Sequence, residues 1–261
     1  MAARGGSALE AGWLLSPPAR PYLDSILHKN QRRVFGLLER PVLPPPLVAP
    51  IVTYKLFVSG KSGVGKTALV ATLAGTPVPP AHHETLGIEA TTVYWPAKVR
   101  ATGRPVIFQL HFWDCGDGAL KKFEYLLPSC KEEADAVLFL FSFTDRASFE
   151  ELPAQMSRVL GPGEENLLRV VVGTKFDLSS QADVSQGDVT AFEGTWGLRV
   201  LRVGKGQGGT GGGVARVAPL LDALVESLWQ RDQIAAGVTS GGEGGASPDP
   251  SSPCREGLGT L

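Results

Sequence analysis

The stretch GKSGVGKT at residues 60–67 has the residue types and spacing needed to hold phosphate groups. Its glycines let the backbone curl so that successive N–H groups point at phosphate oxygens, and the N-terminus of a following helix adds partial positive charge. Lys66 would reach the outer phosphates, and the Thr67 hydroxyl would ligate Mg²⁺, which prefers oxygen ligands. The pattern predicts a nucleotide site, with a chance glycine-rich turn as the alternative. The predicted nucleotide-binding residues of this loop are Gly60, Ser62, Gly63, Val64, Gly65, Lys66, Thr67 and Ala68.

A second polar stretch, TKFD at residues 174–177, ends an apolar run where the base of the nucleotide should lie. The Asp177 carboxylate can accept hydrogen bonds from both N1–H and the N2 amino group of guanine. Adenine offers no such donor pair, so the carboxylate would be left unpaired. Lys175 can pack its aliphatic stem along the base plane. The stretch favours guanine, with a polar turn at a strand end as the alternative.

Alternating strand-like and helix-like segments surround both stretches. The runs at 134–143 and 167–177 have the nearly unbroken apolar character of strands buried on both faces. Two further strand-like runs, 89–99 and 105–114, are joined by a turn and predict an antiparallel pair. Strands are also predicted over 53–60 and 198–203, and helices over 66–75, 146–160, 187–196 and 214–232.

The order of these segments predicts the fold class. A strand, a phosphate loop and a helix, followed by further alternation, indicate an α/β protein with a P-loop NTPase fold. The fold would be a mostly parallel six-stranded sheet with helices on both faces. Ligands bind such sheets at the carboxyl ends of the strands, where both polar stretches fall. Pro153 lies inside a predicted helix and fits if that helix is kinked or starts late.

Composition narrows the classes of partner. The chain has 261 residues, 43% of them apolar, which is enough for one sizeable domain with extensions. A net charge of −1 gives no basic surface, so no nucleic-acid partner is expected. The three cysteines form neither a disulfide nor a metal pattern, which suits a reducing cytoplasm. No apolar run approaches the roughly 20 residues of a membrane span. With no lipidation motif either, we expect no integral membrane segment and no lipid anchor.

Three parts of the chain differ in composition. Residues 1–20 are small and polar and are predicted to be disordered. Residues 21–40 predict a short helical segment that folds against the main domain or serves as a partner-binding arm. Residues 41–50 are proline-rich and favour an extended spacer. The predicted domains are an N-terminal extension at 1–50, a main domain at 51–235 and a disordered tail at 236–261.

Residues 51–235 resemble the Ras superfamily of small GTPases through GKSGVGKT, HHETLGI, WDCG, FLFSFTDRASFEELP and GTKFD. The resemblance implies a small GTPase fold that binds GTP or GDP with Mg²⁺. Thr85 stands where the family has the switch threonine that binds the metal and senses the third phosphate. Asp114 fits the aspartate that holds the metal through water. The resemblance therefore adds Thr85, Val203 and Gly204 to the nucleotide-binding set and gives Thr67, Thr85 and Asp114 as the metal set.

Within the superfamily, the chain is most similar to Rem- and Rab-like members that act in ciliogenesis and planar polarity. The stretches HKNQRRVFGLLERPVL and FVSGKSGVGKTALVA carry this similarity. It implies a role in cilium assembly and membrane traffic, including exocytosis. It also implies a location at the centriole and the cilium basal body, and partners in the planar polarity effector complex such as the inturned and fuzzy proteins.

The second switch segment departs from the family pattern, which reads D-x-x-G followed by glutamine. Here Asp114 is followed by a glycine one place early, at Gly116, and no glutamine follows. Either the loop is one residue shorter or Gly118 serves after a bulge. That glutamine orients the attacking water, so its absence predicts weak hydrolysis, and no catalytic residue is assigned. Asp117 is a poor replacement because a triphosphate would repel its charge.

Other departures concern nucleotide affinity. Thr174 replaces the usual asparagine, so a contact to the base edge and a tie to the phosphate loop are expected to be lost. Val78 replaces an aromatic residue over the guanine, and Val203 replaces a serine or threonine, so micromolar affinity is expected. Two histidines precede Thr85, and we expect His82 to lie near the phosphates; a zinc site would need further ligands.

Three hypotheses about function follow from these residues. The first is a GTP-dependent binding switch, in which GTP and Mg²⁺ order the segment around Thr85. The second is an ordinary GTPase that needs an activating protein. The third is a pseudo-GTPase scaffold that binds its partner without nucleotide.

Overall fold

A six-stranded sheet forms the centre of the protein. The computed structural model describes residues 6–27, 40–78, 85, 87–118, 126–161, 164, 167–204 and 213–237. The strands are β1 (Ile51–Gly60), β2 (Ile88–Lys98), β3 (Pro105–Cys115), β4 (Ala136–Ser142), β5 (Leu168–Thr174) and β6 (Val200–Arg202).

The strand order is β2-β3-β1-β4-β5-β6, and only the β2–β3 pair is antiparallel. The apolar run of β4 is buried at every residue, as its sequence predicts for a strand covered on both faces. The mostly parallel sheet is therefore confirmed. Since five strands run the same way, their carboxyl ends meet at one edge, which we call the carboxyl edge.

Helices cover both faces of this sheet. They are α1 (Arg20–Ile26), α2 (Lys66–Ala74), α3 (Leu126–Lys131), α4 (Arg146–Glu150), α5 (Leu152–Val159), α6 (Gln186–Trp196) and α7 (Val214–Ala235). Buried residues of α1, α2 and α7 join one apolar cluster, and those of α5 and α6 join another. The single helix predicted over 146–160 is two helices, because Pro153 occupies the first turn of a new helix after Glu151. None of the described helices is both long and apolar enough to cross a bilayer.

The N-terminal arm, residues 6–27, is ordered, so the prediction of disorder is wrong for residues 6–20. Leu9 forms an antiparallel bridge with Val99, just past the end of β2. The reason is burial, because Leu9, Trp13 and Leu14 are each less than a tenth exposed and belong to the same cluster as β1 and β3. Helix α1 buries Tyr22 and Ile26 there, so the helical segment predicted to fold against the main domain does so within residues 21–27.

Two carboxylates of α7 fasten the arm. Glu226 accepts hydrogen bonds from the N–H groups of Ala8 at 2.7 Å and Leu9 at 2.8 Å. Asp222 accepts one from Gly12 N–H at 3.1 Å and one from the Trp95 indole N–H at 2.8 Å. Burial raises the pKa of Asp222, although these two hydrogen bonds oppose the effect.

Candidate functional site

The phosphate loop follows β1 directly and leads into α2. Gly60 has no room for a side chain, since an added Cβ would lie 2.7 Å from the carbonyl oxygen of Leu140 on the neighbouring strand. Gly63 and Gly65 have φ angles of +82° and +98°, in the left-handed region that favours glycine. Val64 is buried, whereas Ser62 and Ala68 are half-buried. The predicted glycines thus form a tight turn at the carboxyl edge.

Lys66 brings a positive charge to the centre of this loop. Its ammonium group donates hydrogen bonds to the carbonyl of Gly60 at 2.8 Å and to that of Lys61 at 3.2 Å. The residue is only 7% exposed, so the charge stays beside the loop instead of extending into solvent. A lysine in this position can neutralise the charge of a phosphate group.

Three oxygen-bearing side chains from different elements meet beside the loop. Thr67 comes from the first turn of α2, Thr85 precedes β2, and Asp114 lies near the end of β3. The Thr67 hydroxyl lies 3.0 Å from the Thr85 hydroxyl and donates a hydrogen bond to the Asp114 carboxylate. The structure therefore brings together all three residues predicted to hold a metal ion.

The environment of Asp114 fits a divalent cation. The residue is 1% exposed, and within the described residues its Oδ1 atom has no hydrogen-bond partner. Burial raises the pKa of this carboxyl, while the Thr67 hydrogen bond and the Lys66 charge act in the opposite direction. A buried carboxylate oxygen without a partner, beside two hydroxyl groups, is a donor set that Mg²⁺ prefers. These residues thus fit the predicted metal.

The residues predicted to contact the base also lie together at the carboxyl edge. The Lys175 ammonium donates to the Gly63 carbonyl at 3.1 Å, so this side chain spans the phosphate loop. Gly204 packs against Asp177, because an added Cβ would lie 2.6 Å from the Asp177 amide nitrogen and from its Oδ1 atom. Phe176 N–H donates to the Val203 carbonyl at 3.1 Å, which joins the two base-contact stretches.

Thr174 corrects one expectation from the sequence. Its hydroxyl lies 2.5 Å from the Val64 carbonyl and 3.0 Å from the Phe141 carbonyl, and both oxygens can accept its proton. The tie between this strand end and the phosphate loop is therefore kept, and the prediction that it is lost was wrong. The reason is that the Thr174 hydroxyl, at the end of β5, lies close enough to the loop carbonyl to donate to it. Val78 is 44% exposed, and His82 lies outside the described residues.

Asp117 is turned towards a helix. It is only 5% exposed, and its carboxylate lies 3.8 Å from the guanidinium of Arg158 on α5. This nearby positive charge offsets part of the cost of burying the Asp117 carboxylate. The sequence alone did not point to Arg158. It showed only that a basic residue lies within the helical segment 146–160.

Comparison with known proteins gives a consistent set of similarities. A sequence model of the Ras family matches residues 55–203. Ciliogenesis and planar polarity effector 2 of Xenopus tropicalis is 52% identical over 251 residues, which cover 93% of this chain and 98% of that protein. The human protein of the same name is 53% identical over 89% of this chain and 93% of its own length. GTP-binding protein REM 2 of Rattus norvegicus is 27% identical over 77% of this chain and 53% of that protein.

Proposed function

We propose, since this chain belongs to the Ras family of small GTPases, that it is a binding switch controlled by guanine nucleotide and Mg²⁺. The observation that carries the proposal is the meeting of Thr67, Thr85 and Asp114 beside the phosphate loop. These oxygens come from three separate elements, and Thr85 belongs to the segment that would respond to the third phosphate. Nucleotide would favour the partner-bound form by its differential affinity for the two conformations.

Each part of the site has a distinct task in this proposal. Thr67 and Thr85 would ligate Mg²⁺ directly, and Asp114 would hold it through water. The metal would supply positive charge that neutralises the phosphates. The loop N–H groups and Lys66 would bind the phosphates, while Asp177 would read guanine. Lys175, Val203 and Gly204 complete the base contacts, and His82 remains a predicted phosphate neighbour.

Hydrolysis is proposed to be weak. The chain lacks the expected glutamine after Gly116, and the Asp117 carboxylate lies beside Arg158. Asp117 is therefore occupied as a structural partner and is poorly suited to orient a water molecule. Turnover in the family without an activator is already slow, on the order of 10⁻⁴ s⁻¹. An activating protein could still supply the missing chemistry.

The cellular role is proposed from the relatives. Those about half identical to this chain are named for ciliogenesis and planar polarity. We accordingly propose a role in cilium assembly and targeted membrane traffic, at the centriole and basal body. The planar polarity effector complex, with inturned and fuzzy, supplies the proposed partners. Pulldown from ciliated cells with GTP-loaded and GDP-loaded protein tests this role, and equal capture in both states would contradict the switch.

Calorimetry tests the nucleotide site. The purified chain is titrated with GTP, GDP and ATP, each with and without Mg²⁺. The proposal expects binding of GTP and GDP, strengthening of GTP binding by Mg²⁺, and no binding of ATP. Single-turnover phosphate release then separates a slow switch from an ordinary GTPase. Equal affinity for ATP and GTP would contradict the role of Asp177.

A scaffold that works without nucleotide is the second candidate. It is favoured by the departures from the family pattern at Val78 and Val203, which reduce the contacts expected to hold the base. The variant Lys66→Ala separates the two candidates. A switch should lose nucleotide and partner together, whereas a scaffold should keep its partner.

A further inference from the structure

We propose that Gly116 is a positioning residue that fixes the switch threonine Thr85 through contact between the two switch segments. We call the contacting residues Thr85, Gly87 and Gly116 the switch latch. The inference depends on the proposed function, because Thr85 matters there as a metal ligand. It also gives a physical reason for the glycine that stands one place early in the second switch segment.

The latch continues the pairing of β2 with β3. The last pair of the antiparallel register joins Ile88 to Cys115. One residue further on, Gly116 N–H donates a hydrogen bond of 3.1 Å to the Gly87 carbonyl. Because β3 is also paired with β1, the end of β3 is held by the centre of the sheet. The hydrogen bond from Gly116 therefore fixes the position of Gly87 relative to the sheet.

Glycine is needed at position 116 because the Thr85 backbone occupies the space of a side chain. A Cβ added to Gly116 would lie 1.9 Å from the Thr85 carbonyl oxygen and 3.0 Å from its carbonyl carbon. These are main-chain atoms, so they cannot rotate aside as a flexible side chain can. Gly116 does not have a positive φ, so the requirement is for room and not for an unusual backbone conformation.

The latch controls the spacing of the metal donors. Asp114 and Gly116 are two residues apart on one strand end, so a shift of Thr85 away from Gly116 also changes its distance from Asp114. The Thr85 hydroxyl lies 3.0 Å from that of Thr67, and Mg²⁺ demands near-ideal geometry. A side chain at position 116 should therefore weaken the metal site by displacing Thr85.

The test compares Gly116→Ala with the parent full-length chain. Affinities for N-methylanthraniloyl-GTP and N-methylanthraniloyl-GDP are measured by fluorescence over a range of Mg²⁺ concentrations. We expect the variant to lose at least about tenfold of the Mg²⁺-dependent affinity for the GTP analogue. The loss should be smaller for the GDP analogue, because Thr85 responds to the third phosphate.

Two further variants separate the latch from general effects of losing a glycine. Gly87→Ala keeps the accepting carbonyl, and its added Cβ would meet no atom of the described residues within 4 Å apart from its chain neighbours, so we expect less than about a threefold change. In a Thr85→Ala background, Gly116→Ala should add almost nothing, because both changes act on the same metal ligand. Equal losses in Gly87→Ala and Gly116→Ala, or additive losses in the double variant, would overturn the latch.

Hydrogen exchange in the parent protein tests the contact even if Gly116→Ala folds poorly. The Gly116 amide should exchange slowly, and rapid exchange would overturn the proposal. Should the parent bind the GTP analogue with Mg²⁺ and Gly116→Ala bind it equally well, the latch fails while the proposed function stands. Absence of Mg²⁺-dependent binding in the parent would instead refute the proposed function and the latch with it.

Discussion

The carboxyl edge of the sheet and the N-terminal arm are held by different kinds of contact. At the carboxyl edge, Lys66 and Asp114 are buried, charged and surrounded by polar atoms. In the arm, Trp13 and Leu14 are buried among apolar residues. The main charged groups in contact with the arm are carboxylates of α7, which accept hydrogen bonds from its backbone N–H groups. Burying charge costs stability, whereas burying apolar surface contributes to it. We infer that the arm stabilises the fold while the edge binds ligand, and that the two roles are separable by mutation.

The largest expected effect is on stability in the arm. Trp13 is 7% exposed and packs against Tyr22 with ring centroids 5.2 Å apart. Trp13→Ala should lower the free energy of unfolding by about 3–5 kcal/mol, because it removes a large buried side chain and leaves a cavity. Leu15→Ala in the same turn is the control, since Leu15 is 47% exposed and should change stability by less than about 0.5 kcal/mol. Chemical denaturation measures both; similar values would contradict a stabilising arm.

The next effect is on binding at the edge. Thr67→Ala removes a proposed metal ligand and should lower the Mg²⁺-dependent affinity for GTP by about 2–3 kcal/mol, or roughly a hundredfold. The free energy of unfolding should fall by about 1–3 kcal/mol, less than in Trp13→Ala, because the change removes one hydrogen bond to Asp114 and no large buried side chain. Thr72→Ala, in the next turn of α2, is the control for helix effects. A loss of stability as large as that of Trp13→Ala would contradict the inference that stability and ligand binding can be separated by mutation.

A smaller effect, on both stability and nucleotide affinity, should appear at Thr174. Thr174→Val keeps the shape of the side chain but leaves the Val64 carbonyl without the hydroxyl that lies 2.5 Å away. Losing a buried hydrogen bond of this kind costs about 1–3 kcal/mol of stability, and the phosphate loop should bind nucleotide several-fold more weakly. Denaturation and nucleotide titration are measured on the same sample. An unchanged affinity would show that the tie to the loop is structural only.

The smallest effect is a pH dependence in the arm. The pKa of Asp222 is raised in the folded protein, so the folded chain holds this proton more tightly than the unfolded chain. Its contribution to the free energy of unfolding is therefore complete below the ordinary aspartate pKa and is lost as pH rises through the raised pKa. Asp222→Asn should remove this part of the pH dependence. Denaturation of both proteins across pH 3.5–7 gives the difference, and parallel curves would contradict the prediction.

The sequence alone predicts the phosphate loop between β1 and α2, because the signals for that loop are local. The glycines and Lys66 lie within eight residues of each other, and each has a steric or electrostatic reason to be there. The same holds for β4, whose unbroken apolar run has few other interpretations. Thr174 was misjudged because the distance between its hydroxyl and the Val64 carbonyl depends on how two separate elements pack.

The arm could not be predicted because its partners are distant in sequence. Leu9 stands alone among small and polar residues, and the apolar run at residues 13–15 is too short to show a strand or helix period. The backbone beside them is held by Glu226 and Asp222, which lie more than 200 residues further along the chain. The switch latch was hidden for the same reason. In the sequence, Gly116 showed only that the second switch segment departs from the family pattern. The need for glycine there comes from the Thr85 backbone, which occupies the space of a side chain.

The bridge between Leu9 and Val99 also bears on pairing between separate copies of the chain. β2 is the outermost strand on its side of the sheet, and an unpaired strand edge is a template for joining another chain. The bridge covers this edge near the β2–β3 turn, and α1 contacts the same strand. A fragment cut at residue 51 would uncover that edge and the apolar residues beneath it. Such a fragment should aggregate more readily than the full chain.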